Sequence, residues 1–457
     1  MTIQLYNSMT RQKEAFVPLE DGKVKIYVCG PTVYDMAHIG HARSCVAFDV
    51  IVRYLRRHYD VTYVRNYTDV DDKIIKRSIE EERPSIEVSE HYIAEFKTDM
   101  AALNNSVPDH EPKVTQTMDE IVTFVQNLID KGHAYAAEGD VYFAVQSFDG
   151  YGKLSGRSLD DMEAGARVEV NDKKRHPMDF ALWKAAKPGE PKWASPWGDG
   201  RPGWHIECSA MSCQLLGMPF DIHGGGRDLI FPHHENERAQ SCCGYGGSFV
   251  GTWMHNAYVD MDGEKMSKSL GNVRTVRELL EQYSGETLRF ALLSAHYRSP
   301  LNFSRELLDN AQATLDGFYL ALRNAGDTPV EVSEAHLSPV FNALLDDLNT
   351  PAAIAELHQL AKVLNKASES EKAAAKAALL AGGAVLGILS EDPVAWLSKS
   401  DSDGDALTSE VIDQMLIDRA EAKANRDFSR ADAIRDELNA AGIIIEDSAS
   451  GATWRRG

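Results

Sequence analysis

The tetrapeptide His38-Ile39-Gly40-His41 places two imidazoles three residues apart, where a short apolar run gives way to a helical pattern. At a helix N-terminus that spacing sets both rings beside unpaired backbone N–H groups and the positive end of the helix dipole, a seat for an anion. Gly40 presents no Cβ, so a flat ring can approach the backbone there. A second string, Lys265-Met266-Ser267-Lys268-Ser269, lies between Gly263 and Gly271. Two ammonium groups and a hydroxyl on a glycine-flanked loop suit a clamp that closes on a polyphosphate. A third group has metal chemistry. Cys29 ends the first apolar run, Cys208 lies in a GWHIECSAM segment, and His233 and Glu237 stand four residues apart, on one face if helical. Two thiolates, an imidazole and a carboxylate form a Zn²⁺ donor set. By spacing alone, His234, Cys242 and Cys243 compete for the same role.

These residues need a frame. Residues 23–29 (KVKIYVC) read as a buried strand, 40–57 as a helix and 61–66 as a second strand. That βαβ unit implies a parallel sheet with ligands at the C-terminal ends of its strands. Helical patterns follow over 69–81 and 86–103. Residues 112–202 change character, with Gly and Pro clusters, a short strand at 141–145, and Trp183, Trp193 and Trp197; they read as an insertion. Strands return near 220–222 and 253–259. Alanine-rich helices over 305–324, 333–348 and 352–389, the last broken near Ser368, predict a bundle. The polar segment 399–405 (KSDSDGD) is a linker: its aspartates are spaced as in a calcium loop, but Gly404 is misplaced and the closing glutamate is missing.

Charge and composition narrow the partners. The 457 residues carry 69 acids against 48 bases, a net charge of −21, with 43% hydrophobic residues. Such a chain folds as a globular protein and repels membranes and non-specific DNA, so RNA must be met by locally basic surface. The longest apolar stretch, 377–389, is too short to cross a bilayer. Six irregularly spaced cysteines and no apolar leader predict a cytoplasmic chain without disulfides. Local basic surface is expected in 406–457. There Arg419, Lys423, Arg426 and Arg430 recur as one helical face, with Phe428, Ala431, Ile434 and Leu438 as the core stripe. An exposed Trp454 beside Arg455 would add base stacking and phosphate contact. Interleaved Asp418, Glu421 and Asp427 equally suit a salt-bridged, solvated helix.

With its first two strings together, the chain resembles class I aminoacyl-tRNA synthetases over most of its length. The resemblance implies an α/β fold with a Rossmann-type parallel-sheet catalytic domain in two halves (1–111 and 203–260) around a connective insertion (112–202). It further implies a stem-contact region at 261–303, a tRNA-binding helical bundle at 304–398, the linker 399–405, and a small α+β anticodon-recognition domain at 406–457. It gives His38 and His41 the charge developing on the α-phosphate of ATP, and Lys265 and Lys268 the departing pyrophosphate. Thr32, Met266 and Ser267 join that site, Gly40 packs on adenine, and Asp228 of Gly224-Gly225-Gly226-Arg227-Asp228 takes a ribose hydroxyl.

Within the class the chain is similar to cysteinyl-tRNA synthetases, whose Cys, Cys, His, Glu zinc pattern falls on Cys29, Cys208, His233 and Glu237. Thr68, Trp204 and His223 fall where that family lines its amino-acid pocket. The implied cofactors are one Zn²⁺ per subunit and Mg²⁺ with ATP; the implied partners are ATP, L-cysteine and tRNA(Cys), met by a monomer. Cysteine and serine are near-isosteres that a shaped pocket separates poorly, whereas a metal distinguishes sulfur from oxygen and makes an editing domain unnecessary. A related cysteine:amino-sugar ligase of mycothiol biosynthesis would share both strings and the zinc set but has no use for residues 406–457.

Overall fold

The computed structural model describes residues 2–159, 172–261, 264–265, 273–326, 328–333, 336, 338–398, 407–448 and 451–456. The expected roles of Met266, Ser267 and Lys268, and the 399–405 linker, lie outside the described residues.

The runs KVKIYV and DVTYVR bury consecutive residues toward their C-terminal ends, as strands of a sheet covered on both faces do. Its four strands are all parallel, in the order Val250–Asn256, Phe220–Gly226, Lys23–Val28, Asp60–Arg65. Val24, Ile26 and Val28 face the helix Ile39–Leu55, and Tyr27 faces the opposite layer with Val64 and Trp253. The chain leaves Lys23–Val28 in one direction to Asp60–Arg65 and later returns on its other side at Phe220–Gly226. That reversal opens a crevice at the C-terminal ends of Lys23–Val28 and Phe220–Gly226. At the sheet's edge the hairpin Gln4–Asn7 with Gln12–Ala15 covers Val250–Asn256, where Ser8 N–H donates to Trp253 O at 2.9 Å.

The insertion carries an unforeseen helix, Met118–Asp130, as well as the antiparallel strands Ala134–Ala137, Asp140–Phe143, Phe180–Ala185 and Gly200–Pro202. Its described residues have no separate core. Phe124, Phe143 and Trp183 pack in one cluster with Tyr27, Val64 and Phe220 of the parallel sheet. The helix Trp204–Leu216 then leads back into that sheet.

The helices Arg305–Asn324, Ser338–Leu344, Thr350–Lys366, Lys372–Leu386 and Pro393–Ser398 form the bundle and share the core of the sheet's other face. The helix expected over 333–348 stops early for a local reason. Asp347 and Leu348 take positive φ of 57° and 55°. In that turn the Asp347 carboxylate accepts from Tyr6 N–H at 2.9 Å, Tyr297 Oη at 2.7 Å and Arg298 Nε at 2.6 Å. No helix among the described residues is long and apolar enough to cross a membrane.

Bundle and sheet are locked by a buried cation. Arg289, on the helix Gly285–Leu293, has no exposed surface. It ion-pairs with Asp49 and donates from Nε to Leu386 O at 2.6 Å and from Nη1 to Leu103 O at 3.1 Å. Gly387 completes the fit, because a Cβ there would stand 2.6 Å from the guanidinium carbon. Removing one partner of a buried pair strands the other charge, so Arg289→Ala should destabilise the chain by about 3–5 kcal/mol in denaturant unfolding.

The C-terminal residues form the helices Ser409–Ala424 and Phe428–Ala440 and the hairpin Ile443–Ser448 with Gly451–Arg456. Their core is small: Ile412, Leu416, Leu438 and Ile443.

Candidate active site and metal centre

Four chain segments converge at the crevice. Cys29 ends the strand Lys23–Val28, and its N–H donates to Gly224 O of the neighbouring strand at 3.0 Å. The helix Trp204–Leu216 turns Cys208 inward, and the kinked turn Ile230–His234 opens the helix Glu235–Tyr245, bringing His233 and Glu237 together. The donor atoms of Cys29, Cys208, His233 and Glu237 all lie within 4.8 Å of one another. The two sulfurs are 3.7 Å apart, Cys29 Sγ is 3.4 Å from Glu237 Oε1, and His233 Nε2 is 3.0 Å from that oxygen.

Burial and mutual contact polarise this cluster. Burial pushes the Cys29 thiol well above its ordinary range. Burial also opposes ionisation of Cys208, yet hydrogen bonds with Cys29 and His233 bring it down to about 6. Desolvation disfavours a charged His233, but Glu237 and Cys208 raise it to about 10. Burial alone would raise Glu237; His223 and His233 instead hold it well below the usual carboxylate range. Soft sulfur donors, imidazole and carboxylate converging in a dry crevice are a set that can hold a metal ion.

A second combination, Cys29, His223, His234 and Glu237, is equally compact. It omits Cys208: His223 Nε2 lies 2.8 Å from Glu237 Oε2, and His234 places its Nε2 3.3 Å from Cys29 Sγ and its Nδ1 2.8 Å from His255 Nε2. Cys242 and Cys243 enter neither group, so both leave the set of competing donors.

Of the expected pocket residues, Thr68 is buried and donates to Glu207 Oε2 at 2.8 Å. Trp204 is 39% exposed and stacks on His233 with ring centres 4.3 Å apart. His223 has no exposed surface, stacks on Trp253 and places its Nε2 2.8 Å from Glu237 Oε2. Sequence reasoning overlooked Asn66, Glu207, His255 and His205, whose Nδ1 lies 2.9 Å from His233 Nδ1. The one visible signal was the density of polar residues in GWHIEC on a helix that had to be buried.

At the other expected site, His38 caps the helix Ile39–Leu55. Its Nδ1 accepts from Gly40 N–H at 3.1 Å and His41 N–H at 3.4 Å, while His41 Nδ1 accepts from His38 N–H at 3.3 Å. A neutral ring whose Nδ1 accepts carries its proton on Nε2, so each ring turns an N–H edge away from the backbone. The rings stack with centres 3.7 Å apart. Thr32 is bridged to Thr68 beside the crevice, where Val33 N–H donates to Thr68 O at 3.2 Å. Asp228 is exposed on the turn Arg227–Leu229 that follows the glycines. Gly224 is required by close packing: a Cβ there would stand 2.2 Å from the Phe48 ring. Lys265 ends the short strand Glu264–Lys265, paired antiparallel with Asp260 and Met261. The segment beyond the second string is sewn to the first string, with Ile39 N–H on Arg274 O at 3.1 Å and Val276 N–H on Ala37 O at 2.8 Å.

The basic face expected in the last domain does not form. The helix ends at Ala424, and Arg426 turns the chain at φ 59°, so Arg419 and Lys423 lie on one helix and Arg430 on the next. The break resets the helical phase, which leaves Phe428 63% exposed instead of in the core. Arg419 is buried and grips Asp447 with both terminal nitrogens, at 2.7 and 2.9 Å, and Lys423 adds a 3.2 Å contact to the same carboxylate. Arg430 lies 3.8 Å from Asp418, and Arg455 Nε donates to Glu446 at 3.1 Å. Trp454 is half-buried against the small core, and its indole N–H donates to Asp413 Oδ1 at 2.7 Å. Arg419 and Trp454 therefore serve the domain's own structure.

Comparison with known proteins gives three family matches: the class I (C) tRNA synthetase catalytic domain over residues 15–313, the DALR domain over 340–390, and the cysteinyl-tRNA ligase anticodon binding domain over 405–455. The chain is 54% identical to the cysteine–tRNA ligase of Saccharophagus degradans over 458 residues, covering 100% of both chains. It is 53% identical to that of Alkalilimnicola ehrlichii, covering 99% of this chain and 100% of the relative. Among solved structures, Mycobacterium tuberculosis methionyl-tRNA synthetase in complex with methionyl-adenylate superposes with a TM-score of 0.55 at 16% identity, covering 80% of this chain and 89% of that one. The ternary complex of Agrobacterium radiobacter K84 agnB2 LeuRS-tRNA-LeuAMS gives 0.59 at 12% identity, covering 83% and 87%. At such identities these two speak to the fold alone.

Proposed function

Since the chain belongs to the cysteine–tRNA ligase family of class I aminoacyl-tRNA synthetases, we propose that it activates L-cysteine with ATP–Mg²⁺ and transfers the cysteinyl group to the 3′-terminal adenosine of tRNA(Cys), with zinc selecting the thiol. The observation that carries this reading is the convergence of Cys29, Cys208, His233 and Glu237 within 4.8 Å, at the sheet's reversal point. Zinc held there supplies a Lewis acid that lowers the pKa of a substrate thiol and leaves a hydroxyl, the harder and far less acidic group, behind.

The chain's own residues do the rest. His223 holds one oxygen of Glu237, leaving the other toward the cluster, and Trp204 braces the His233 ring. Such supporting contacts fix the orientation of ligands. Thr68 and Trp204 line the amino-acid side. As the cysteine carboxylate attacks the α-phosphorus, the Nε2–H edges of His38 and His41 meet the growing negative charge with donors already in place. Lys265 and Lys268 hold the leaving pyrophosphate, with Met266 and Ser267 taking part in the same ATP site. Gly40 packs on adenine, Thr32 borders the phosphates, and Asp228 accepts from a ribose hydroxyl. In the second step the 2′-hydroxyl of the terminal adenosine attacks the activated carbonyl and AMP leaves. The gain is positioning and charge stabilisation, with no covalent enzyme intermediate. Lys423, Arg426, Arg430 and Arg455 remain the phosphate contacts for tRNA, on a monomer working in the cytoplasm.

Metal analysis paired with cysteine-dependent ATP–pyrophosphate exchange tests this reading. One zinc per chain is expected, with exchange lost on chelation and restored by Zn²⁺. A zinc-free chain that still exchanged with cysteine and not with serine would refute it.

A further inference from the structure

Asn66 directly follows the strand Asp60–Arg65 and has no exposed surface. Its Oδ1 accepts the Gly30 N–H at 2.8 Å and lies 3.8 Å from the Cys208 sulfur. Gly30 follows Cys29, whose own N–H is held by Gly224 O at 3.0 Å. The peptides on both sides of Cys29 are thus gripped, one from each neighbouring strand. The fit at Gly30 is close enough that a Cβ would stand 1.6 Å from the Asn66 carbonyl oxygen.

The Gly30 N–H can only donate, so the Asn66 amide has one orientation: oxygen toward Gly30, NH₂ turned away. That NH₂ group is buried and has no hydrogen-bond partner among the described residues. An unpaired buried donor is costly, and one kept at a binding crevice calls for an acceptor that arrives with the ligand.

We propose that Asn66 is a positioning residue for the amino-acid side of the site. Its oxygen fixes the Cys29–Gly30 turn, and its NH₂ group donates to an acceptor carried by the bound cysteine. The inference rests on the cysteine-binding reading above. Cysteine offers two such acceptors to a crevice between Cys29 and Cys208, its sulfur and its carboxylate oxygens.

Asn66→Asp keeps an oxygen for the Gly30 N–H and removes the donor; Asn66→Ala removes both. In the full-length chain, Asn66→Asp should raise the KM for cysteine in ATP–pyrophosphate exchange at least about tenfold, the scale of a lost supporting contact. Its KM for ATP and its zinc per chain should stay at the parent values, whereas Asn66→Ala should also lose zinc. Calorimetric titration with cysteamine, which lacks the carboxylate, identifies the acceptor. Weakening in Asn66→Asp parallel to that of cysteine assigns the sulfur, and unchanged cysteamine binding assigns the carboxylate. An unchanged KM for cysteine in Asn66→Asp, or an equal rise in the KM for ATP, would overturn the proposal. A parent chain without cysteine-dependent exchange would remove the functional reading and this inference with it.

Discussion

Cys208→Ser should lose zinc and depress cysteine-dependent ATP–pyrophosphate exchange by at least about a hundredfold, above the range seen for supporting contacts alone. The sulfur of Cys208 is 3.7 Å from that of Cys29 and the side chain is buried. Contacts from Cys29 and His233 favour its ionised form against the opposing effect of burial. Serine fills the same space but offers a harder and far less acidic donor. The nucleotide half of the site is built on the helix Ile39–Leu55, across the crevice from the helix that carries Cys208, so ATP binding should be unchanged. Equilibrium dialysis with ATP and metal analysis on the same preparation separate the two effects. A variant that retained both its zinc and its cysteine-dependent rate would remove Cys208 from the centre.

His41→Ala should lower the rate of cysteinyl-adenylate formation by about 10²–10³ with little change in the KM for either substrate, the scale of one lost donor to a developing charge. The geometry separates this effect from simple loss of a helix cap. His41 contributes one cap contact, its Nδ1 on His38 N–H at 3.3 Å, whereas His38 itself supplies the acceptor for both Gly40 and His41. A cap is worth about 1 kcal/mol of stability, too little to disturb the fold. Single-turnover adenylate formation and thermal unfolding, measured together, should show a large kinetic effect and a small shift in the midpoint. Parent-like single-turnover rates would assign His41 to the cap alone.

The parallel sheet could be read from the sequence because the short apolar run KVKIYVC, a helical pattern and a second apolar run follow one another as a βαβ unit. The four candidate metal donors were legible as residue types, and their convergence required the fold. What escaped reading depended on partners far along the chain or on a single backbone angle. Arg419 looked like free basic surface because its partner, Asp447, lies 28 residues away. The face shared by Arg419, Lys423, Arg426 and Arg430 presumed one uninterrupted helix, and the left-handed turn at Arg426 broke the phase that also placed Phe428 inside. The helix Met118–Asp130 was hidden in a segment whose Gly and Pro clusters suggested loops and short strands. Asn66 belongs to no recognisable pattern, and only its burial and its orphaned amide set it apart.

Transfer of labelled amino acid to total tRNA, by the zinc-loaded chain with ATP and Mg²⁺, tests the central claim most directly. Acid-precipitable label should accumulate with cysteine, remain at background with serine, and disappear from cysteine reactions after chelation. Equal incorporation of serine, or cysteine incorporation that persists without zinc, would contradict a metal that selects sulfur at Cys29, Cys208, His233 and Glu237.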